Sequence, residues 1–125
     1  MFSNYQKLTV WQKSIELTKD IYKVTKQFPP SELYGLVNQM RRSSTSIPCN
    51  IAEWNQRNTN KEHINFLYIA KWSAAELETQ IIISHKLEFL PEKEKNDLLS
   101  KVEEILKMLA SFITTLTNKN LSSKH

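Results

Sequence analysis

The stretch RRSSTSIPCNIAEW, residues 41–54, decides the fold because it places an apolar seam, small hydroxyl residues and a proline in one predicted helix. Apolar or small residues recur there at spacings of three and four, which is the pattern of a helix that packs in a bundle. The seam continues on the N-terminal side, so the second helix is predicted to span residues 32–56. Its seam residues are Val37, Met40, Ser44, Ile47, Ile51 and Trp54.

Three further segments show the same helical periodicity, and they predict helices over residues 9–28, 60–89 and 92–118. Pro29 and Pro30 separate the first two helices, and Ser31 is predicted to cap the second. Pro91 marks the start of the fourth helix. A single glycine, Gly35, leaves little of the turn chemistry that a sheet requires.

These segments fit one domain, residues 1–125, and predict an all-α protein with the architecture of a single antiparallel up-and-down four-helix bundle. Residues 119–125 follow the last periodic segment and are expected to form a disordered tail. No signal-peptide pattern and no membrane-length apolar run occur in the sequence, and the lone Cys49 excludes an internal disulfide. The sequence therefore predicts a cytoplasmic protein without a membrane segment.

The third helix is apolar on more than one side. Ile69, Trp72 and Ile83 lie roughly opposite the residues that face the bundle. A helix that is apolar most of the way round is covered on more than one side. We therefore expect a homo-oligomer with these three residues in the subunit interface; the alternative is a chance scatter of surface apolar residues.

Helices 2 and 3 are expected to form an antiparallel hairpin that turns near Thr59. In such a hairpin, a residue of helix 2 and a residue of helix 3 lie at the same height along the bundle when their numbers add to about 118. Arg41 and Arg42 then lie level with the segment that contains Glu76 and Glu78. We expect structural ion pairs between these arginines and glutamates; the alternative is a solvated surface.

The same register places the small hydroxyl residues of helix 2 opposite alanines, and it sets Ser44 beside Ala74, so the two helices can approach closely. Pro48 lacks a backbone N–H and is expected to kink the helix. The carbonyl of Ser44 is thereby freed for a nearby hydroxyl or water.

The net charge of +4 is concentrated in residues 1–75, which hold ten basic and five acidic residues. Phosphate-directed binding of structured RNA or DNA is the function that this charge permits. The alternative is an ordinary solvated face whose lysines are offset by neighbouring carboxylates. The candidate nucleic-acid-binding residues are Lys19, Lys23, Lys26, Arg57 and Lys61.

No catalytic constellation is recognisable, so the sequence predicts a protein that is not an enzyme. His63, His85 and His125 lack the glutamate three residues earlier that helical di-iron sites use. Glu76 and Glu78 point to different faces of a helix and are not a catalytic pair. We expect no catalytic residue, no cofactor and no metal site, and the competing function is an oligomeric protein–protein scaffold.

Three segments carry a resemblance to a known family: LTVWQKSIELTKDIYKVTKQFP, YGLVNQMRRSSTSIPCNIAE and FLYIAKWSAAELETQ. They resemble the four-helix bundle family of 23S rRNA intervening-sequence proteins, which includes the accessory variability determinant proteins of diversity-generating retroelements. The resemblance implies a homopentamer. In the retroelement branch it implies a basic pentamer that binds nucleic acid and associates with a reverse transcriptase.

Two tryptophans depart from the family pattern, which usually has glycine after IAE and again before SxxELET. Trp54 and Trp72 stand at these positions. Trp72, on the predicted outer face, is expected to alter a subunit interface, whereas Trp54 is expected to cover one end of the bundle. A tryptophan cannot fit where glycine permits close backbone approach.

Overall fold

A computed structural model of the protein describes residues 8–56 and 63–123, with side chains described as far as residue 118. Within these residues the chain forms four α-helices and no strand, so the predicted all-α class is confirmed. The helices are α1 (Thr9–Thr25), α2 (Asn38–Gln56), α3 (Ile64–Lys86) and α4 (Glu92–Ser123). The fourth helix therefore continues past its predicted end at residue 118.

The connection between α1 and α2 differs from the prediction. A 3₁₀ turn occupies Pro30–Glu32 and a wider π-type turn occupies Leu33–Val37, so α2 itself begins at Asn38. Gly35 departs from helical φ and ψ inside this segment. Ser31 lies within the 3₁₀ turn and does not cap a helix. The N-cap residue of this turn is Pro29, which makes no side-chain cap bond.

The helices are arranged with α1 and α3 at diagonal corners, since each of them packs against both α2 and α4. The predicted seam of α2 is buried along its whole length, as is the core-facing side of α3. Buried apolar side chains of all four helices form one core. The core-facing residues of α3 and α4 that are almost fully buried are Leu67, Ala70, Ala74, Leu77, Ile81, Leu98, Val102, Ile105 and Leu109.

The contact between α2 and α3 is made through small side chains. Ser43 and Ser44 of α2 are buried, as are Ser73 and Ala74 of α3. The hydroxyl oxygens of Ser46 and Ser73 lie 2.8 Å apart and form a hydrogen bond. This bond joins residues whose numbers add to 119, which confirms the predicted antiparallel register at mid-bundle.

Pro48 lies inside α2, and the helix is continuous through it from Asn38 to Gln56. Because proline has no N–H, the carbonyl of Ser44 lacks its usual helical donor. The hydroxyl of Thr18 on α1 lies 3.0 Å from this carbonyl oxygen and 2.9 Å from that of Ser14, so its one proton is shared between the two acceptors. A hydroxyl thus satisfies the freed carbonyl, as the sequence predicted, and the proline contributes a specific bond between α1 and α2.

The turn between α3 and α4 has the hydrogen bonds of a Schellman motif. The N–H of Phe89 donates to the carbonyl of Ser84, and the N–H of Glu88 donates to that of His85, both at 2.9 Å. Glu88 has φ of 65°, in the left-handed region that favours glycine. The His85 ring nitrogen Nδ1 and the carbonyl oxygen of Leu90, 2.9 Å apart, add a further bond across the turn.

Replacing Thr18 by valine should lower the free energy of unfolding by about 1–2 kcal/mol, because the buried carbonyl of Ser44 then loses its donor. The same substitution should cost about 1 kcal/mol less in a Pro48→Ala background, where the restored N–H of residue 48 bonds that carbonyl. Urea unfolding of the four members of this double-mutant cycle measures the difference. Thr18→Ser, which keeps the hydroxyl, is the control, and equal costs in both backgrounds would contradict the assignment.

Glu88→Gly should raise the free energy of unfolding by about 0.5–1 kcal/mol, since glycine adopts the left-handed conformation without the steric cost that an L side chain carries. Glu88→Ala removes the same charge and leaves the steric cost in place. Thermal unfolding should therefore show a higher melting temperature for the glycine variant alone. An equal rise for both variants would mean that charge, and not backbone conformation, limits stability here.

Candidate interaction surfaces

The α3 outer face consists of Ile69, Trp72, Ile82, Ile83 and Leu87, all of which are exposed. Trp72 is the most exposed of them, at 65% of its surface, and its ring lies 6.1 Å from that of Tyr68. The three predicted interface residues, Ile69, Trp72 and Ile83, are thus brought together on one surface. Exposed apolar side chains on a helix side that no other helix of the protomer covers form a candidate interaction site.

This face exists because two apolar patterns share one helix. The core side of α3 has apolar residues at spacings of three and four, namely Leu67, Ala70 and Ala74. The opposite side has a second set that includes Ile69 and Trp72, which are three residues apart. The α2 and α4 helices cover the core side only. Ile82 and Leu87 were not among the predicted interface residues, although both lie within the predicted third helix.

A polar groove of about 530 Å³ runs between α2 and α3, beside the α3 outer face. Its lining residues are Gln39, Arg42, Ser43, Ser46, Ser73 and Glu76. Arg42 and Glu76 face the same groove, as the register predicted, yet they form no ion pair within 4 Å. Glu76 instead accepts a 3.2 Å hydrogen bond from the amide of Gln80, so the predicted Arg42–Glu76 pair is corrected.

Arg41 points to α1 and not to α3. Its Nε donates to the hydroxyl of Thr25 at 3.0 Å, and its guanidinium carbon lies 4.7 Å from the centre of the Tyr22 ring. One residue of helix rotates a side chain by about 100°, so Arg41 and Arg42 cannot both face α3. The predicted pairing of Arg41 with Glu78 is therefore wrong, and Arg41 instead holds the Tyr22 ring in a cation–π contact.

The lysines of α1 divide into paired and unpaired groups. Lys13 bonds Glu104 at 2.9 Å, and Lys101 of α4 bonds Asp20 at 2.6 Å. The hydrogen bond to Asp20 is the main reason that the pKa of Lys101 is raised above its ordinary value. By contrast, the exposed candidate lysines form no ion pair with any residue that the structure describes; they are Lys19, Lys23 and Lys26.

The surroundings of Lys23 weaken its candidacy. It lines a groove between α1 and α4 together with Asp20, Glu94 and Asp97, whose carboxylates offset its charge. The other two basic candidates, Arg57 and Lys61, lie outside the described residues. Lys19 and Lys26 therefore carry most of the unneutralised charge among the predicted binding residues for which side chains are described.

The described side chains include no group of three or more histidine, cysteine or carboxylate residues placed to hold a metal ion. No helix in residues 8–56 and 63–123 combines the length and apolar character needed to cross a bilayer.

Comparison with known proteins assigns the chain to a family. Residues 6–111 match the protein family described as 23S rRNA-intervening sequence protein. The chain belongs to this family. It is also similar to a crystal structure of a protein with unknown function from the S23 ribosomal protein family of Bacteroides thetaiotaomicron. That similarity has a TM-score of 0.77 and 29% identity, and it covers 84% of this chain and 95% of the other. No curated protein matches the chain.

Trp54 and Trp72, the two tryptophans singled out in the sequence, have opposite environments. Trp54 is 8% exposed and packs edge-on against Phe112, with ring centres 4.8 Å apart, and it stacks on His63. Its buried indole N–H has no hydrogen-bond acceptor among the residues that the structure describes. Trp54 is thus a core residue, whereas Trp72 belongs to the α3 outer face.

Trp54→Ala should lower the free energy of unfolding by about 3–5 kcal/mol, because it empties a large buried volume. Trp72→Ala should change it by less than about 1 kcal/mol, since the exposed ring has few contacts to lose. Urea unfolding measures the free energy of unfolding of each variant. The protein is kept dilute, so that the measured transition is the unfolding of single protomers. Trp54→Phe keeps a ring and removes the unpaired N–H, so it should cost clearly less than Trp54→Ala, and equal costs would contradict the packing described.

Proposed function

We propose that this protein is a non-enzymatic homo-oligomer that binds the phosphate backbone of structured RNA or DNA through the outer surface of α1. The proposal rests on one observation, which is that some lysines form ion pairs within the protomer and others do not. Lys13 and Lys101 are held in ion pairs, whereas Lys19 and Lys26 are exposed and form none with the described residues. Unpaired lysines on an outer helix surface are available to phosphates, which they bind as point charges.

Oligomerisation would multiply this weak basic surface. A few lysines on one protomer give little affinity at physiological salt, but symmetry repeats them around an assembly and their contacts then act together. The α3 outer face supports self-association, because a second copy would bury its exposed tryptophan and isoleucines. The pentamer implied by the family resemblance is the assembly that we propose.

The chemistry of the surface favours binding that depends on salt and not on base sequence. Lysines on a helix surface can neutralise phosphates, and each neutralised phosphate releases counterions from the nucleic acid. Sequence readout would require side chains that reach base edges. We therefore propose recognition of nucleic-acid shape and charge, with structured RNA and duplex DNA as the two candidate ligands.

Replacing Lys19, Lys23 and Lys26 together by glutamine should weaken binding of a labelled RNA hairpin by about tenfold or more at low salt and flatten its salt dependence. Fluorescence anisotropy between about 50 and 200 mM salt measures both quantities. The matched control carries glutamine at three lysines of α4 and has the same net charge. These are Lys93, Lys95 and Lys107.

The assembly state of both variants is measured by light scattering, so that a loss of binding cannot be confused with a loss of oligomer. Equal affinities for the two variants would contradict the assignment to α1. Absence of binding by the unmodified protein at low salt, with RNA and with duplex DNA, would overturn the nucleic-acid proposal.

A second candidate function, an oligomeric protein–protein scaffold, is favoured by the apolar character of the α3 outer face. In this alternative the assembly presents apolar helix surfaces to another protein, and the lysines are incidental. The retroelement branch of the family offers a reverse transcriptase as one such partner. Binding of that partner would be insensitive to the lysine substitutions and sensitive to substitution of the exposed apolar residues.

A further inference from the structure

The polar groove between α2 and α3 is lined by one face of each helix. On α2, its residues follow spacings of three and four, namely Gln39, Arg42, Ser43 and Ser46. On α3, Ser73 and Glu76 are three residues apart. Residues at these spacings lie on the same side of a helix, so both helices present polar side chains to one common space. Its volume of about 530 Å³ is within the range of small-molecule sites, roughly 300–1,000 Å³.

The hydroxyl of Ser43 has no hydrogen-bond partner among the described residues, although Ser43 is only 5% exposed. The hydroxyls that follow it in the sequence all have partners. Ser44 and Thr45 donate to the carbonyl oxygen of Arg41 at 2.9 and 2.8 Å, and Ser46 is bonded to a serine of α3. A buried hydroxyl normally has a partner. Because Ser43 lines the groove, its partner is expected in the groove.

The groove also contains one charge of each sign, and the two charges do not pair with each other. Arg42 is exposed and forms no ion pair with a described residue. Glu76 is also exposed, and the amide of Gln80 donates to its Oε1 at 3.2 Å. The second carboxylate oxygen, Oε2, has no partner among the described residues. Both charged groups are therefore available to a ligand, one from each wall of the groove.

This pair of charges selects the kind of ligand. A simple anion would be attracted by Arg42 and repelled by Glu76, and a simple cation would meet the reverse. A ligand with both a carboxylate and an ammonium is complementary to both groups. The planar guanidinium of Arg42 can bind a carboxylate through two parallel hydrogen bonds. The free oxygen of Glu76 can accept a hydrogen bond from an ammonium, and the Ser43 hydroxyl can bond either group.

We infer that the polar groove binds a small zwitterion of the amino-acid class, with its carboxylate on Arg42 and its ammonium on Glu76. Ser43 adds a hydrogen bond from its buried hydroxyl. Gln80 is a positioning residue, since its amide holds the carboxylate of Glu76 and it does not itself line the groove. The site uses none of the α1 lysines, so the inference depends neither on nucleic-acid binding nor on self-association.

Ligand-observed NMR tests the inference with the free proteinogenic amino acids, β-alanine and γ-aminobutyric acid, each at millimolar concentration. This set varies the side chain and the number of bonds between the two charges. At least one member should bind, and titration calorimetry then gives its Kd. The same compound without its amino group, and the same compound with its carboxylate amidated, should each bind at least about tenfold more weakly, because each lacks one charge-assisted hydrogen bond.

Substitutions in the groove locate the bound ligand. Arg42→Gln and Glu76→Gln should each raise the Kd by at least about tenfold, and Ser43→Ala should raise it by about threefold or more. Two control variants remove the same charges from α3 outside the groove, namely Glu78→Gln and Lys86→Gln. Both controls should bind the ligand like the unmodified protein. Circular dichroism confirms that each variant remains folded.

Three outcomes would overturn the inference. If no member of the set binds, the groove holds only solvent. If the compound without its amino group binds as tightly as the zwitterion, Glu76 takes no part in recognition. If Arg42→Gln and Glu76→Gln leave the Kd unchanged, the ligand is bound elsewhere. All measurements are made without nucleic acid, so their failure is distinguishable from failure of the RNA-binding experiment.

Discussion

The close packing of α2 against α3 is the constraint on which the rest of the structure depends. Buried serines and alanines line this contact, and the hydroxyls of Ser46 and Ser73 bond across it at 2.8 Å. Small side chains allow the helix backbones to approach, and the approach fixes the rotation of α3 about its own axis. Once α3 is rotated so that its alanines and serines face α2, Trp72 has no position except on the outside.

The features that sequence predicted correctly are those set by helical periodicity. The seam of α2 is buried from Val37 to Trp54, and the register of the hairpin follows from the spacing of small residues on both helices. Even the bond to the carbonyl of Ser44 could be anticipated, because the missing N–H of Pro48 is a property of the residue itself. Helical periodicity and the missing N–H of proline depend only on the residues themselves and their neighbours in the chain. Both can therefore be recognised in a single sequence.

The predictions that failed concern the choice between neighbouring partners. Arg41 was expected to bond a glutamate of α3, but a rotation of one residue turns it to Tyr22 and Thr25 of α1. Ser31 was expected to cap a helix, but consecutive prolines produce a 3₁₀ turn in which it is an interior residue. Long side chains and short connections respond to tertiary geometry at the scale of one residue, which an apolar pattern does not specify.

The distribution of paired charges indicates which side of the bundle remains open. Between α1 and α4, charges are satisfied within the protomer: Lys13 bonds Glu104, and Lys101 bonds Asp20 and Asp97. The described part of α4 exposes no large apolar side chain.

Around α2 the situation is reversed, since Arg42 and Glu76 share a groove without pairing, and apolar residues of α1 and α3 are exposed on its two sides. Exposed apolar residues are typical of interaction sites, and charged groups beside them can fix the orientation of a partner. Among the described helices, the exposed large apolar side chains therefore lie on α1 and α3 and not on α4, and the α3 outer face is the surface through which we propose self-association.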